Sequence, residues 1–106
     1  MHRTVLEHRT KDEANARQLI EGIRKVRAEA RKQHGFISGD TLVDVDDPRH
    51  VVVISSWQTL EDWKVWDSSS IRKSMLPLIE DHLIEAYTEN TMTNNVVWKE
   101  EIAHVF

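Results

Sequence analysis

The chain has 106 residues, long enough for one hydrophobic core and too short for two, so residues 1–106 are expected to form a single domain. Apolar residues make up 40% and charged residues 30%, which excludes a disordered chain, and no apolar run approaches the ~20 residues of a membrane helix. Cysteine is absent, which removes disulfides, thiolate metal sites and thiol nucleophiles, and a formal charge of −4 argues against a nucleic-acid partner. The opening MHRTVLEHR has none of the features of a secretory signal, so a cytoplasmic location is expected.

Residues 3–9 alternate, with Thr4, Leu6 and His8 on one face and Val5, Glu7 and Arg9 on the other, the pattern of a short strand. Thr10 is the expected N-cap of a helix, with Glu13 completing a capping box. Ala16, Leu19, Ile20, Ile23, Val26 and Ala30 make one apolar stripe, so the helix is expected over about residues 11–33, stopping at Gly35 in the C′ position. The basic residues of this helix are interrupted by Glu21 and Glu29 and read as a solvated face. Gly22 costs about 1 kcal/mol relative to Ala; either it admits a strand or ligand at close range, or it is a tolerated defect.

Residues 36–45 read as a second strand of imperfect alternation, with Ile37, Gly39, Thr41 and Val43 opposed to Phe36, Ser38, Asp40 and Leu42. Asp46, Asp47 and Pro48 form a turn, so the β-branched run from Val51 to Ile54, ending near Trp57, returns antiparallel. Thr59 then caps a second helix on which Leu60, Trp63 and Trp66 recur every three residues. Residues 67–70 interrupt that helix, because Ser and Asp compete for backbone hydrogen bonds. A further helical stripe follows through Ile71, Met75, Leu78 and His82, broadened by Ile79 and Leu83, and Pro77 should kink or divide it. Beyond it, residues 84–92 and 96–102 are two strand candidates, and the residues do not decide between them.

Strand, helix, hairpin, helix, strand is the ferredoxin-like βαββαβ order of an α+β fold, a four-stranded antiparallel sheet with helices on one face. The other face, with Val5, Ile37, Val43 and the valine run, is too apolar to stay bare, so a two-fold homodimer with facing sheets is expected.

The run HGFISGDTLVDVDDPRHVVVISSWQTLEDWKVWDSS resembles the antibiotic biosynthesis monooxygenase domain, in which a glycine and an aromatic open strand 2. A polar turn, a strand closing on tryptophan and an aromatic-bearing helix follow. The resemblance extends over roughly residues 3–83 and implies a dimeric α+β barrel. That superfamily includes cofactor-free oxygenases of polyketide quinols, haem-degrading oxygenases and isomerases. The haem-degrading branch is similar in the tryptophan at Trp66, but its strand-1 asparagine falls at His8 and its histidine at Leu76, beside Met75. Neither side chain there supplies an imidazole for iron, so haem degradation in that manner is not implied.

The resemblance thus implies a cofactor-independent monooxygenase of a small aromatic or quinol-type substrate. The alternatives are a non-catalytic ligand-binding or structural dimer and, behind it, haem binding through His8 or His82. Trp66 either lines a substrate cavity or belongs to the core, and Trp63, on the same stripe, faces the same choice. His8 shares the helix-facing side of strand 1 with Leu6, where a neutral imidazole with a pKa near working pH is suited to take a phenolic proton; otherwise it is a solvent-bonded strand-end residue. Ser38, Ser55 and Tyr87 are candidate hydrogen-bond partners of the substrate by strand position, and His82 is a further lining candidate or a core-edge residue. His2, His34, His50 and His104 fall at surface positions. No metal-ligand spacing and no glycine-rich phosphate loop is present, so no metal, nucleotide or flavin cofactor is expected.

Overall fold

A computed structural model describes residues 1–84 and 96–99. Strand β1 (His2–Arg9) leads to helix α1 (Glu13–Ala30), and strands β2 (Phe36–Val43) and β3 (His50–Trp57) form the hairpin. Three short helices follow, α2 (Leu60–Asp67), α3 (Ser70–Met75) and α4 (Pro77–Glu80), and β4 (Val96–Lys99) closes the order. The sheet runs β2-β3-β1-β4, antiparallel throughout, which is the ferredoxin-like arrangement. Of the two candidate fourth strands, residues 96–99 pair with β1; the other, apart from Ile84, lies outside the described residues, as do Tyr87 and His104.

The register of β1 on β3 sets opposite one another the pairs His8 with Val51, Leu6 with Val53, and Thr4 with Ser55. With period-two alternation, these pairs face the helices and Val5, Val52 and Ile54 face away. In β2 a register shift between Phe36 and Ser38 marks a bulge at Ile37, which explains the imperfect alternation. The bulge puts Phe36 on the helix side with Gly39, Thr41 and Val43, and leaves Leu42 rather than Val43 on the open face. Phe36 meets Trp57 edge to face, centroids 5.2 Å apart.

Two expected details of α1 are corrected. Asp12, not Thr10, caps α1, its carboxylate accepting from Asn15 N–H at 2.7 Å. Thr10 is instead fully buried and bridges to Leu83, with its hydroxyl donating to the carbonyls of Asp12 and Arg49. It ties the end of β1 to the start of β3. Gly35 does adopt positive φ (84°), but α1 has already ended at Arg31, and the glycine serves the entry to β2, where the Asp62 side chain occupies the space a Cβ would need.

Thr59 caps α2 as expected, accepting from Asp62 N–H at 3.1 Å, and Ser69 caps α3. Pro77 stands at the first turn of α4, so the expected division is a clean break between two helices. The buried face of this region is shifted from the expected stripe. Arg72, Ile79 and Leu83 are buried whereas Ile71 is 46% exposed. Gly22 admits the backbone at Leu78, whose carbonyl approaches it so closely that a Cβ there would collide.

Candidate functional site

Between the helix-facing side of the sheet and the layer of α1, α2 and α3 lies a cavity of about 70 Å³. Trp57, Trp63 and Trp66 form its aromatic wall, and each is more than nine-tenths buried. They come together because Trp57 ends β3 on the helix side while Trp63 and Trp66 recur on the inward face of α2, with Ala30 of α1 packed among them. Core and cavity are therefore not alternatives for Trp66; its indole serves both. Trp57 Nε1–H donates to Ser55 Oγ at 3.1 Å, which leaves the Ser55 hydroxyl hydrogen for another acceptor.

His8 lines the same cavity and is 2% exposed, not a solvent-bonded residue. Its Nδ1 lies 3.2 Å from the carbonyl oxygen of Val51 across the β1–β3 ladder. A carbonyl only accepts, so Nδ1 carries the proton and Nε2 is the basic nitrogen. Burial lowers the pKa from 6.5 to about 4; the Val51 bond offsets part of this, and the charges of Arg72 and His50 lower it further. His8 is thus neutral at physiological pH, as expected, but its pKa is well below the working range rather than near it.

Arg72, from α3, is the charged residue that the apolar stripe concealed. It is 6% exposed, lines the cavity, and its Nη1 stands 3.6 Å from Asp67 Oδ1, an ion pair longer than a hydrogen bond. Burial pushes the Asp67 carboxyl up, against the lowering effect of Arg72 and Lys73. Arg27 of α1 forms the outer wall. Its Nη2 donates to Thr41 Oγ1 at 2.6 Å, and the missing side chain of Gly39 leaves room for the guanidinium to cross β2.

His8, Ser55, Trp63 and Trp66 thus meet at one cavity, and two other candidates do not. Ser38 lies on the open face of the sheet and is exposed, because the bulge at Ile37 separates it from Phe36, which stays on the helix side. His82 lies outside the cavity, its Nδ1 2.9 Å from Asn15 Oδ1 on α1. His50, expected at the surface, is largely buried and bonded to Asp44 Oδ2 at 3.0 Å. Among the described residues no group of three His, Cys, Asp or Glu side chains converges to hold a metal ion.

Solved structures of similar shape share the fold. A conserved protein from Methanosarcina mazei superposes with a TM-score of 0.76 at 14% identity, over 92% of this chain and 90% of that one. The cofactor-independent oxygenase SnoaB from Streptomyces nogalater gives 0.75 at 11% identity, over 92% and 90%. At these identities the likeness establishes the fold alone. No curated protein matches the chain in sequence. The profile of the antibiotic biosynthesis monooxygenase family matches residues 1–76, well over half of the length, and the chain belongs to that family.

Proposed function

We propose that this chain is a cofactor-independent monooxygenase of a small aromatic or quinol-type substrate. One observation carries the reading: a buried, neutral imidazole whose tautomer is set by Val51 shares an aromatic cavity with the buried guanidinium of Arg72. A phenolic substrate held against the tryptophans passes its hydroxyl proton to Nε2 of His8. The electron-rich ring anion then gives one electron to dioxygen, and the resulting radical pair combines to a peroxide at a ring carbon. The peroxide takes back the proton held by His8, and loss of water with the hydrogen of that carbon leaves a carbonyl, so one oxygen atom enters the product, the other departs as water and His8 is neutral again. Arg72 stabilises the developing anion, and the indoles exclude water.

The low pKa of His8 sets a limit on this chemistry. Moving a proton from a phenol of pKa about 10 to a base of pKa about 4 is uphill by roughly 8 kcal/mol before Arg72 helps. Unaided, the anion would therefore be populated at only about one part in 10⁶, so stabilisation by Arg72 is needed for turnover. The same weak basicity favours a second reading, in which the cavity binds its ligand and no turnover follows.

Oxygen consumption with a dihydroxynaphthalene separates the two. The wild type should consume oxygen, and His8→Ala should reduce the rate by roughly 10²–10⁴-fold while ligand-induced quenching of tryptophan fluorescence survives. Uptake unchanged in His8→Ala removes His8 as the base; binding without uptake in the wild type favours the second reading.

The expected homodimer belongs to the same proposal. Val5, Val52 and Ile54 are only partly buried on the open face of the lone chain, and Leu42 beside them is 50% exposed. Sedimentation equilibrium at micromolar concentration should give twice the chain mass; a single-chain mass removes the dimer.

A further inference from the structure

At about 70 Å³ the aromatic cavity is smaller than the roughly 150 Å³ in which a benzene molecule sits, so a ring enters only when a lining side chain leaves. The tryptophans and Arg72 are almost fully buried, and Phe36 is held edge to face against Trp57. Val26 and Val53 are short and stiff at the first side-chain torsion. Arg27 combines what the others lack: it is half-buried, its stem is long and flexible, and its charged head is favoured by water. Burial holds its pKa below the usual value, with the charge of Arg31 adding to the effect and that of Asp40 opposing it. The inward position therefore sacrifices hydration that an outward position restores.

Two residues of the edge strand β2 hold Arg27 inward. Gly39 and Thr41 lie opposite Ser55 and Val53, hence on the helix-facing side of the sheet. The Thr41 hydroxyl oxygen accepts from Arg27 Nη2 at 2.6 Å. Gly39 supplies the seat: the three nearest atoms that a Cβ there would meet all belong to Arg27, with Nε at 2.7 Å and Cδ at 3.2 Å. The φ of Gly39 is not positive, so the backbone does not require glycine at this position, whereas the close approach of the Arg27 side chain does. We propose that Arg27 is the gate of the aromatic cavity and determines how readily a flat aromatic ligand enters. In the closed position it lies over Gly39, bonded to Thr41; it swings outward past the edge of β2 when a ring takes its place. The proposal rests on the cavity being the ligand site, a premise common to the oxygenase reading and to binding without turnover.

A bound ring and a closed Arg27 exclude each other, so the apparent affinity is reduced by the fraction of molecules in which the gate is open. Loosening the gate raises association and affinity together and leaves dissociation unchanged. Stopped-flow tryptophan fluorescence with a dihydroxynaphthalene under nitrogen, which prevents turnover, measures both rates. Thr41→Val removes the acceptor and keeps the β-branched shape, while Gly39→Ala places a methyl group in the seat. Each variant should bind at least about threefold faster than the wild type, the worth of one modest contact, with a dissociation rate within about twofold. If Arg27 only packs the wall, the same changes loosen the site and speed dissociation instead. Association less than threefold faster in either folded variant overturns the proposal, as does a dissociation rate that rises by as much as association, or failure of all three proteins to bind at millimolar concentration. Should one variant not fold, the other decides, since each acts on a different contact of Arg27. Faster association in the variants without oxygen uptake by the wild type would refute the oxygenase and keep the gate. Oxygen uptake with unaltered association would do the reverse.

Discussion

The interior divides into two regions of different chemistry. One end is aliphatic: Ala16, Leu19, Ile23, Val51, Ile79 and Leu83 pack into one cluster made of branched or small side chains. The other end is aromatic, built from Trp57, Trp63 and Trp66 with Ala30, and flanked by Phe36. Aliphatic side chains interdigitate at crystal-like density, so that end has little to offer a ligand. Indoles are large, flat and rigid, and three of them around one alanine meet a sheet that presents His8 and Ser55. The cavity lies on the seam between the regions, for Ile23 and Ile79 line it from one side and the tryptophans from the other. Stability is thereby concentrated in one region and ligand chemistry in the other.

The largest effect that would test this division is in the aliphatic end. Leu19 is fully buried, and Leu19→Ala should cost about 3 kcal/mol, within the usual 2–5 for such truncations. Urea unfolding should show the loss, while dihydroxynaphthalene quenching of tryptophan fluorescence stays near the wild-type value under native conditions. If quenching falls along with stability, the regions are one cooperative packing unit and the division fails.

A comparable effect belongs to the seam and depends on pH. The folded-state pKa of His8, about 4, is below its unfolded value of 6.5, so the unfolded chain binds the proton more readily. The stability contributed by keeping His8 neutral is complete above pH 6.5, declines as pH falls, and is lost through pH 4. A shift of this size corresponds to about 3 kcal/mol. Asp12, Asp44 and Asp47 are held below the ordinary carboxylate range by hydrogen bonds, so their contribution is lost in a lower window. Urea midpoints between pH 7 and 4.5 should therefore fall in the wild type and in Leu19→Ala, and fall much less in His8→Asn, whose amide still donates to Val51. A slope unchanged in His8→Asn would assign acid sensitivity to another group.

The smallest effect sharpens the boundary at Trp66. Trp66→Phe retains an aromatic ring and should cost on the order of 1–2 kcal/mol, less than Leu19→Ala, yet weaken the quenching by flat ligands. A thermal shift equal to that of Leu19→Ala with unchanged ligand response would move Trp66 wholly into the core.

Elements whose pattern is local were legible from the residues. β1, the β2–β3 hairpin, the capping of α2 by Thr59 and the break at Pro77 follow from alternation, turn chemistry and the missing proline N–H, none of which needs a distant partner. The helix-facing side of His8 was legible for the same reason, since strand parity with Leu6 determines it. Three details required the whole fold. The bulge at Ile37 put Phe36 and Ser38, which simple alternation places together, on opposite faces, because one unpaired residue changes the parity across it. Burial of Arg72 and the fall of the His8 pKa depend on the elements that enclose each side chain, and the two residues, 64 apart in sequence, line one cavity that no spacing rule encodes. The sequence by itself determined which residues alternate, cap and break; only the tertiary structure decided which charges share a low-dielectric chamber, because desolvation depends on everything that surrounds a group and not on its neighbours along the chain.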